Sequence, residues 1–485
     1  MFTGRLWELH EDADLWKIDA AAVRLLTHTG CRLEHEGLLG LLEGAGCRVD
    51  LPTLRAYLPE ELIRRALAHL GGGARARDIS HPTGWNPQAH LGQGGCYPHL
   101  LDWPSGHRRL ASRQDVVDMA RFGHMLPECD YVGKVLTCHD LDQRIEPLWA
   151  VLTLAQTTDK PIGGGEIFYP DYIEPLVQMG SVLSGGESPS GFISACDFFI
   201  SPLVFDRRQA EVFLEKRRLG LPNIPGTMVI SGMSAPVTLA AACAVGLAEL
   251  IAGFVFGYVV NPDLPATGLI ATGSLDMRNA SAVFGSPEAL LQDVTLVQAC
   301  ERLYQIPAGC AWGYVDCKKP GIDATFQKLM PLCASAFGSG DYVRNEGLLS
   351  AGQDYCPVQH LLDVEMNMAI QRFYSGFEVN EDTLAVELLE ELAPLRHTNF
   401  LDTEHTRNHY RAEQWYPRWL DRTLWQGEEI ERAGEQQMLE RISQYVQDTI
   451  ASYEPPELDR EKLAELKRIF LAAEKKILGA NVTKI

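Results

Sequence analysis

The sequence predicts an α/β fold: a (β/α)8 TIM barrel with an N-terminal helical segment and a C-terminal helical extension. Three observations carry this. From about residue 92 to 375, short apolar or β-branched runs alternate with longer patterns of helical period. Eight strand candidates, each followed by a helix, fill a stretch near the roughly 250 residues usual for such a barrel. The competing open sheet needs a glycine-rich phosphate turn between its first strand and helix. Gly92-Gln93-Gly94-Gly95 precedes the strand-like residues and opens no helix, so that fingerprint fails.

The strand candidates are Gly94–Leu101, Tyr131–Thr137, Pro161–Gly165, Phe192–Ala195, Thr227–Ser231, Thr267–Thr272, Ile306–Ala311 and Asp341–Arg344. Between them, helical spacing marks Gln114–Met125, Glu146–Thr157, Tyr172–Leu183, Arg207–Leu219, Val237–Phe256, Pro287–Tyr304 and Ala324–Phe337, with Val358–Tyr374 after the last strand. Residues 1–80 read as an N-terminal helical unit closed by Gly71-Gly72-Gly73, 81–375 as the barrel, and 376–485 as a C-terminal helical extension. In the extension, Glu428–Tyr453 and Asp459–Ile477 read as amphipathic helices.

Bulk composition narrows the function. At 485 residues and 46% hydrophobic content, the chain can bury a large core. Its net charge of -21 repels phosphate backbones, which argues against nucleic acid as a partner. Twelve scattered cysteines without a CxxC pair fit a reducing, cytoplasmic setting. The acidic, amphipathic N-terminus is no secretory signal. Leu239–Val260 is long enough to span a bilayer, but it carries Glu249 mid-run and lacks flanking Lys or Arg. A buried helix is the expectation, and no membrane association is read.

Barrel chemistry sits at the C-terminal ends of strands. Those ends offer Tyr97, Glu166, Asp197, Phe198, Phe199, Trp312, Tyr314, Arg344 and Glu346 as substrate-binding candidates. The set is rich in rings and acids, which suits a quaternary ammonium held by cation–π attraction. Arg344 or Lys318 could take a substrate carboxylate. His405 and His409 are four apart and share a helix face, but no third ligand or general-base glutamate accompanies them. No metal site is read there. His139, Asp140 and Asp142 keep open a metal-dependent hydrolase, and a non-catalytic binder of betaine-like solutes is the third reading.

The run from Asn399 to Arg422 is dense in histidine, arginine and tryptophan. Phe400, Leu401, His405, Thr406, His409, Arg411, Pro417, Leu420, Asp421 and Arg422 resemble the C-terminal signature of the trimethylamine:corrinoid methyltransferase family. Thr403 stands where that pattern has its first histidine. A second signature of the family matches at Asp316, Lys318, Pro320, Ala324 and Lys328, with Phe326 for tyrosine and Gly321 and Asp323 in place of Asp and Gln. Further matches run in order through Ala235–Ala240, Ala248–Gly253, Asp276–Arg278, Gly285–Ala289, Gln359, Asp363 and Glu365.

The resemblance implies a methyltransferase that passes a methyl group to the Co(I) of a corrinoid carried by a separate partner protein. This chain lacks the D-x-H-x-x-G pattern of corrinoid-carrying domains, so no bound cofactor is expected. It contains no pyrrolysine and so resembles the glycine betaine branch, whose substrates are quaternary amines. The family and the long C-terminal helices imply a homo-oligomer.

Overall fold

A computed structural model describes residues 8–72, 92, 94–163, 167–186, 196–310, 313–334, 346–394, 399–422 and 434–479. Parallel strand pairing forms two arcs. In the first, Gly92 bridges Tyr131, Tyr97 bridges Leu136, and Val132 bridges Ile162. In the second, Asp197–Phe198, Pro225–Thr227, Gly268–Ile270 and Ala308–Cys310 lie side by side, all parallel. A helix follows each of these seven segments, so the fold is α/β with helices outside. The eighth strand expected at 341–344 lies outside the described residues, as does the fourth at 192–195; the observed fourth strand is Asp197–Phe198.

The helices begin where their sequence can satisfy free backbone N–H groups. Ser112 and Asp115 form a reciprocal capping box at Arg113–Met125. Ser286 caps Pro287–Gln298, with proline in the first turn, where its missing N–H costs nothing. Leu239–Val260 is the central helix: 83% of its most apolar stretch is buried in protein. Its one charge, Glu249, accepts hydrogen bonds from Ser201 Oγ (2.9 Å), the Leu203 N–H (3.0 Å) and Thr227 Oγ1 (2.6 Å). Burial raises the Glu249 pKa. The acid thus clamps the 201–203 turn to the second arc.

The first predicted strand is shorter than expected. After Tyr97 the chain turns into an antiparallel hairpin, His99–Asp102 with His107–Leu110. Pro98 cannot donate to a ladder, and Pro104-Ser105-Gly106 supplies the turn. The N-terminal segment holds helices Asp12–Arg24, Glu36–Gly44 and Glu60–Gly71, and also three short antiparallel strands that the helical reading omitted. Each strand has only three residues, too few for a period of two to register. Asp12–Arg24 and Glu60–Gly71 pack on Leu239–Val260, so this segment shares the core of the second arc. Opposite, Glu435–Ala451 packs on Arg113–Met125 and Pro357–Ser375. Arg460–Leu478 covers Glu146–Thr157 and Ile173–Leu183.

Candidate active site

Successive side chains of a strand point to opposite faces, so each strand divides its residues between the helices and the interior of the sheet. In the second arc the helix-facing set is fixed by contacts. Asp197 receives Lys216 Nζ at 2.8 Å, Thr227 bonds Glu249, and Pro225 lies against Gly253 of the central helix. Phe199, Ile270 and Ala308 join the same apolar core. The other face carries Phe198, Gly226, Leu269 and Gly309. These four are neighbours in register, forming one row across four strands.

That row explains its glycines. A Cβ on Gly226 would meet the Phe198 ring at 2.8 Å, so the ring lies across the glycine. A Cβ on Gly309 would meet no described atom within 4 Å. This face of the row therefore holds one half-buried aromatic ring, and no described atom crowds Gly309. The first arc repeats the device. Val132 packs outward with Ala120 and Leu154 of two helices, so its neighbour Tyr131 faces inward. Cβ atoms on Gly92 and Gly163 would meet the Tyr131 ring at 2.3 and 3.6 Å. Tyr131 was not among the sequence candidates. The readable signal was Gly92, Gly133 and Gly163, small residues clearing room for a ring.

Of the nine sequence candidates, Phe198 is the one on this inner face among the described residues; Glu166, Trp312 and Arg344 lie outside them. Four others occupy the layer between sheet and helices. Asp197 is buried against Lys216 and Arg217, and Gln209 Nε2 donates to it at 3.1 Å. Phe199 packs with Phe205 and Phe256 at centroid distances of 5.0 and 5.9 Å. Tyr97 is buried and stacked on Tyr355, 6.3 Å away and nearly parallel at 8°. Glu346 is buried beside His360. Replacing Asp197 by Ala leaves Lys216 and Arg217 buried without their counter-charge. We expect a loss of about 3–5 kcal/mol in denaturant unfolding, with substrate KM unchanged in the protein that remains folded.

Tyr314 stands apart, lining a small cleft between the Pro287–Gln298 and Ile322–Ala334 helices. The Phe284 ring lies 5.6 Å from it, and Asp293 lines the same cleft. Asp293 Oδ1 accepts from the Thr272 N–H (2.8 Å) and Oγ1 (2.7 Å). Burial nonetheless pushes its carboxyl up to about 7. The folded state thus holds a proton between the ordinary carboxylate range and about pH 7 that the unfolded chain releases. This contribution to stability is full below pH 4 and lost as pH rises through about 7. Asp293→Asn, which keeps an acceptor for Thr272, should flatten that part of a melting-temperature profile between pH 4 and 8.

The remaining motifs are fasteners. The Asp316 carboxylate accepts the Phe284 and Gly285 N–H groups, each at 3.0 Å. Lys318 donates to the Asp316 carbonyl. Lys328 bonds Asp363, which also accepts from Gln359 (2.6 Å) and the Gly347 N–H (2.8 Å). Glu365 accepts the N–H groups of Arg418, Trp419 and Leu420 at 2.9–3.1 Å, pinning the C-terminal signature to the Pro357–Ser375 helix. The His405 and His409 rings lie 4.3 Å apart, tilted by 33°, and both reach Asp382. Asp140 binds Arg113 and Asp142 binds Arg144, so both acids of the 139–142 loop are engaged. Among the described residues no group of three His, Cys, Asp or Glu is arranged to hold a metal ion.

Parallel strands flanked by helices, with rings on the face away from them, define an α/β protein. The chain belongs to the trimethylamine methyltransferase family, whose model matches residues 3–479; it is a methyltransferase, as its motifs implied. It is 24% identical over 476 residues to trimethylamine methyltransferase of Desulfitobacterium hafniense, covering 94% of this chain and 92% of the relative. It is 24% identical over 482 residues to glycine betaine methyltransferase of the same species, covering 96% of each. A solved structure similar to it is the Methanosarcina barkeri monomethylamine methyltransferase, at TM-score 0.44 and 12% identity, over 92% of this chain and 95% of that one.

Proposed function

We propose that the chain moves a methyl group from a quaternary, betaine-like amine to the Co(I) of a corrinoid on a separate protein. The observation that carries this is the inner row: Phe198, Gly226, Leu269 and Gly309 supply a ring and two glycines but no acid or base. Such a lining suits a reaction that needs no proton transfer. Cobalt(I) attacks a methyl carbon with its electron pair, the C–N bond breaks toward nitrogen, and R–N(CH3)2 leaves neutral beside CH3–Co(III). A neutral trimethylamine would instead have to expel an amide anion. The chain contains no pyrrolysine to activate such a substrate.

In this reading Phe198 and Tyr131 hold the ammonium by cation–π attraction. The glycines leave the donor room, and excluding water favours a step in which the ammonium's charge is lost. In this reading the two arcs belong to a (β/α)8 barrel. Arg344 takes the donor's carboxylate. A second location for the ammonium is favoured by one observation, the carboxylate and ring pair of the Asp293 cleft.

The test mixes enzyme, a Co(I) corrinoid protein and a panel of quaternary and tertiary methylamines, following Co(I) to methyl-Co(III) by absorbance. Turnover with a quaternary donor is expected. Turnover confined to tertiary amines would overturn the reading. Donor affinity that falls below pH 7, and loses that dependence in Asp293→Asn, would move the site to the cleft.

A further inference from the structure

The buried acid of the central helix reaches both sides of one contact. Glu249 Oε2 accepts from Ser201 Oγ at 2.9 Å and from Thr227 Oγ1 at 2.6 Å, and Oε1 accepts the Leu203 N–H at 3.0 Å. Thr227 directly follows Gly226, whose missing Cβ gives the Phe198 ring its place. Ser201 and Leu203 stand in the turn just beyond Phe198. Paired hydrogen bonds between the Ile200 and Val204 backbones, at 2.8 and 3.1 Å, close that turn. We propose that Glu249 is a positioning residue for methyl transfer, holding the Phe198 ring in register over Gly226 where the ring meets the ammonium. This assignment rests on the reading that the ring binds the donor.

The surroundings of Glu249 are built for that reach. Gly246 and Gly253 share its helix face, one turn before and one turn after it. A Cβ on Gly253 would meet Pro225 at 2.3 Å, and one on Gly246 would lie 3.3 Å from Val229 Cγ1 and 3.4 Å from Thr227 Oγ1. The glycines thus bring the helix against the strand, and the acid between them bonds to two segments at once. Three donors converge on it, and a carboxylate offers acceptors only; an amide would turn N–H groups on some of them. Leu203 has a φ of 58°, a left-handed backbone that a residue with a Cβ rarely adopts. Such conformations persist where the surroundings fix them, and here the bond from Leu203 N–H to the acid does so. Among the described residues no base pairs with Glu249, so its burial costs stability that an apolar side chain would not.

Thr227→Val and Ser201→Ala each remove one donor and leave the acid in place, so they test the clamp even where Glu249→Gln fails to fold. Steady-state kinetics with glycine betaine and a Co(I) corrinoid protein should show KM raised about fivefold in each, half in free energy of an about thirtyfold effect of losing the ring. The value of kcat should change less than about twofold, since the ring binds the charged ground state. In a Phe198→Ala background the same substitutions should raise KM no further, because the ring through which they act is gone. Calorimetric titration with tetramethylammonium makes the same comparison without turnover. Wild-type KM and Kd in the folded variants, or a rise that persists without the ring, would overturn the proposal. Phe198→Ala that keeps wild-type affinity would overturn the ring's own role, and this proposal with it.

Discussion

Truncating Phe198 or Tyr131 to Ala should raise the KM for a quaternary donor about thirtyfold each while changing kcat less than about threefold. A desolvated cation–π contact contributes up to about 2 kcal/mol, and each 1.36 kcal/mol is about tenfold. The split between KM and kcat follows from where the charge goes. The ammonium is fully positive in the ground state and becomes a neutral amine as the C–N bond breaks. A ring that attracts positive charge therefore binds substrate better than transition state, and its loss falls on binding. Because Phe198 lies across Gly226, Phe198→Leu should recover part of the packing and none of the cation affinity. Steady-state kinetics on the three variants reads this directly. A fall in kcat with constant KM would mean the rings act on the chemical step and hold no cation.

The largest effect is expected at Gly309. Its backbone is not in the left-handed region, and a Cβ there meets no described atom within 4 Å. Gly309→Leu should leave stability within about 1 kcal/mol, since a strand glycine gains little from its freedom. Its side chain would fill the space beside Leu269 that the donor needs, and kcat/KM should fall at least about a hundredfold. Gly226→Ala differs in kind: at 2.8 Å its Cβ displaces the Phe198 ring, and both stability and KM should suffer. Denaturant unfolding beside kinetics separates the two glycines. Full activity in Gly309→Leu would show that the donor sits elsewhere.

The helices were legible because their signals are long. Glu146–Thr157 was read to the residue, and Arg207–Arg218 and Pro357–Ser375 to within one residue at each end. Two- and three-residue strands carry too little pattern, which is why the N-terminal sheet was missed. Strand parity divides the site candidates. Asp197, Phe198 and Phe199 were chosen together, yet consecutive strand residues cannot share a face, and only the register distinguishes the inward ring from its neighbours. Buried acids are hard to sort for a related reason. Asp197 is the counter-charge of the buried Lys216, and a sequence does not reveal which acid has a buried base for a partner. The signature residues were legible as family markers, but their roles are mechanical. Glu365 and Asp316 hold backbone N–H groups of segments far apart in the chain.

The central claim is that one methyl leaves a quaternary nitrogen and arrives on cobalt. Product stoichiometry with a Co(I) corrinoid protein and a carbon-13 methyl-labelled betaine tests it most directly. The account predicts one labelled methyl-Co(III) and one tertiary amine per turnover, with no released methanol or formaldehyde. Amine formed without methylated cobalt, or no reaction with any quaternary donor while a tertiary amine reacts, would contradict it.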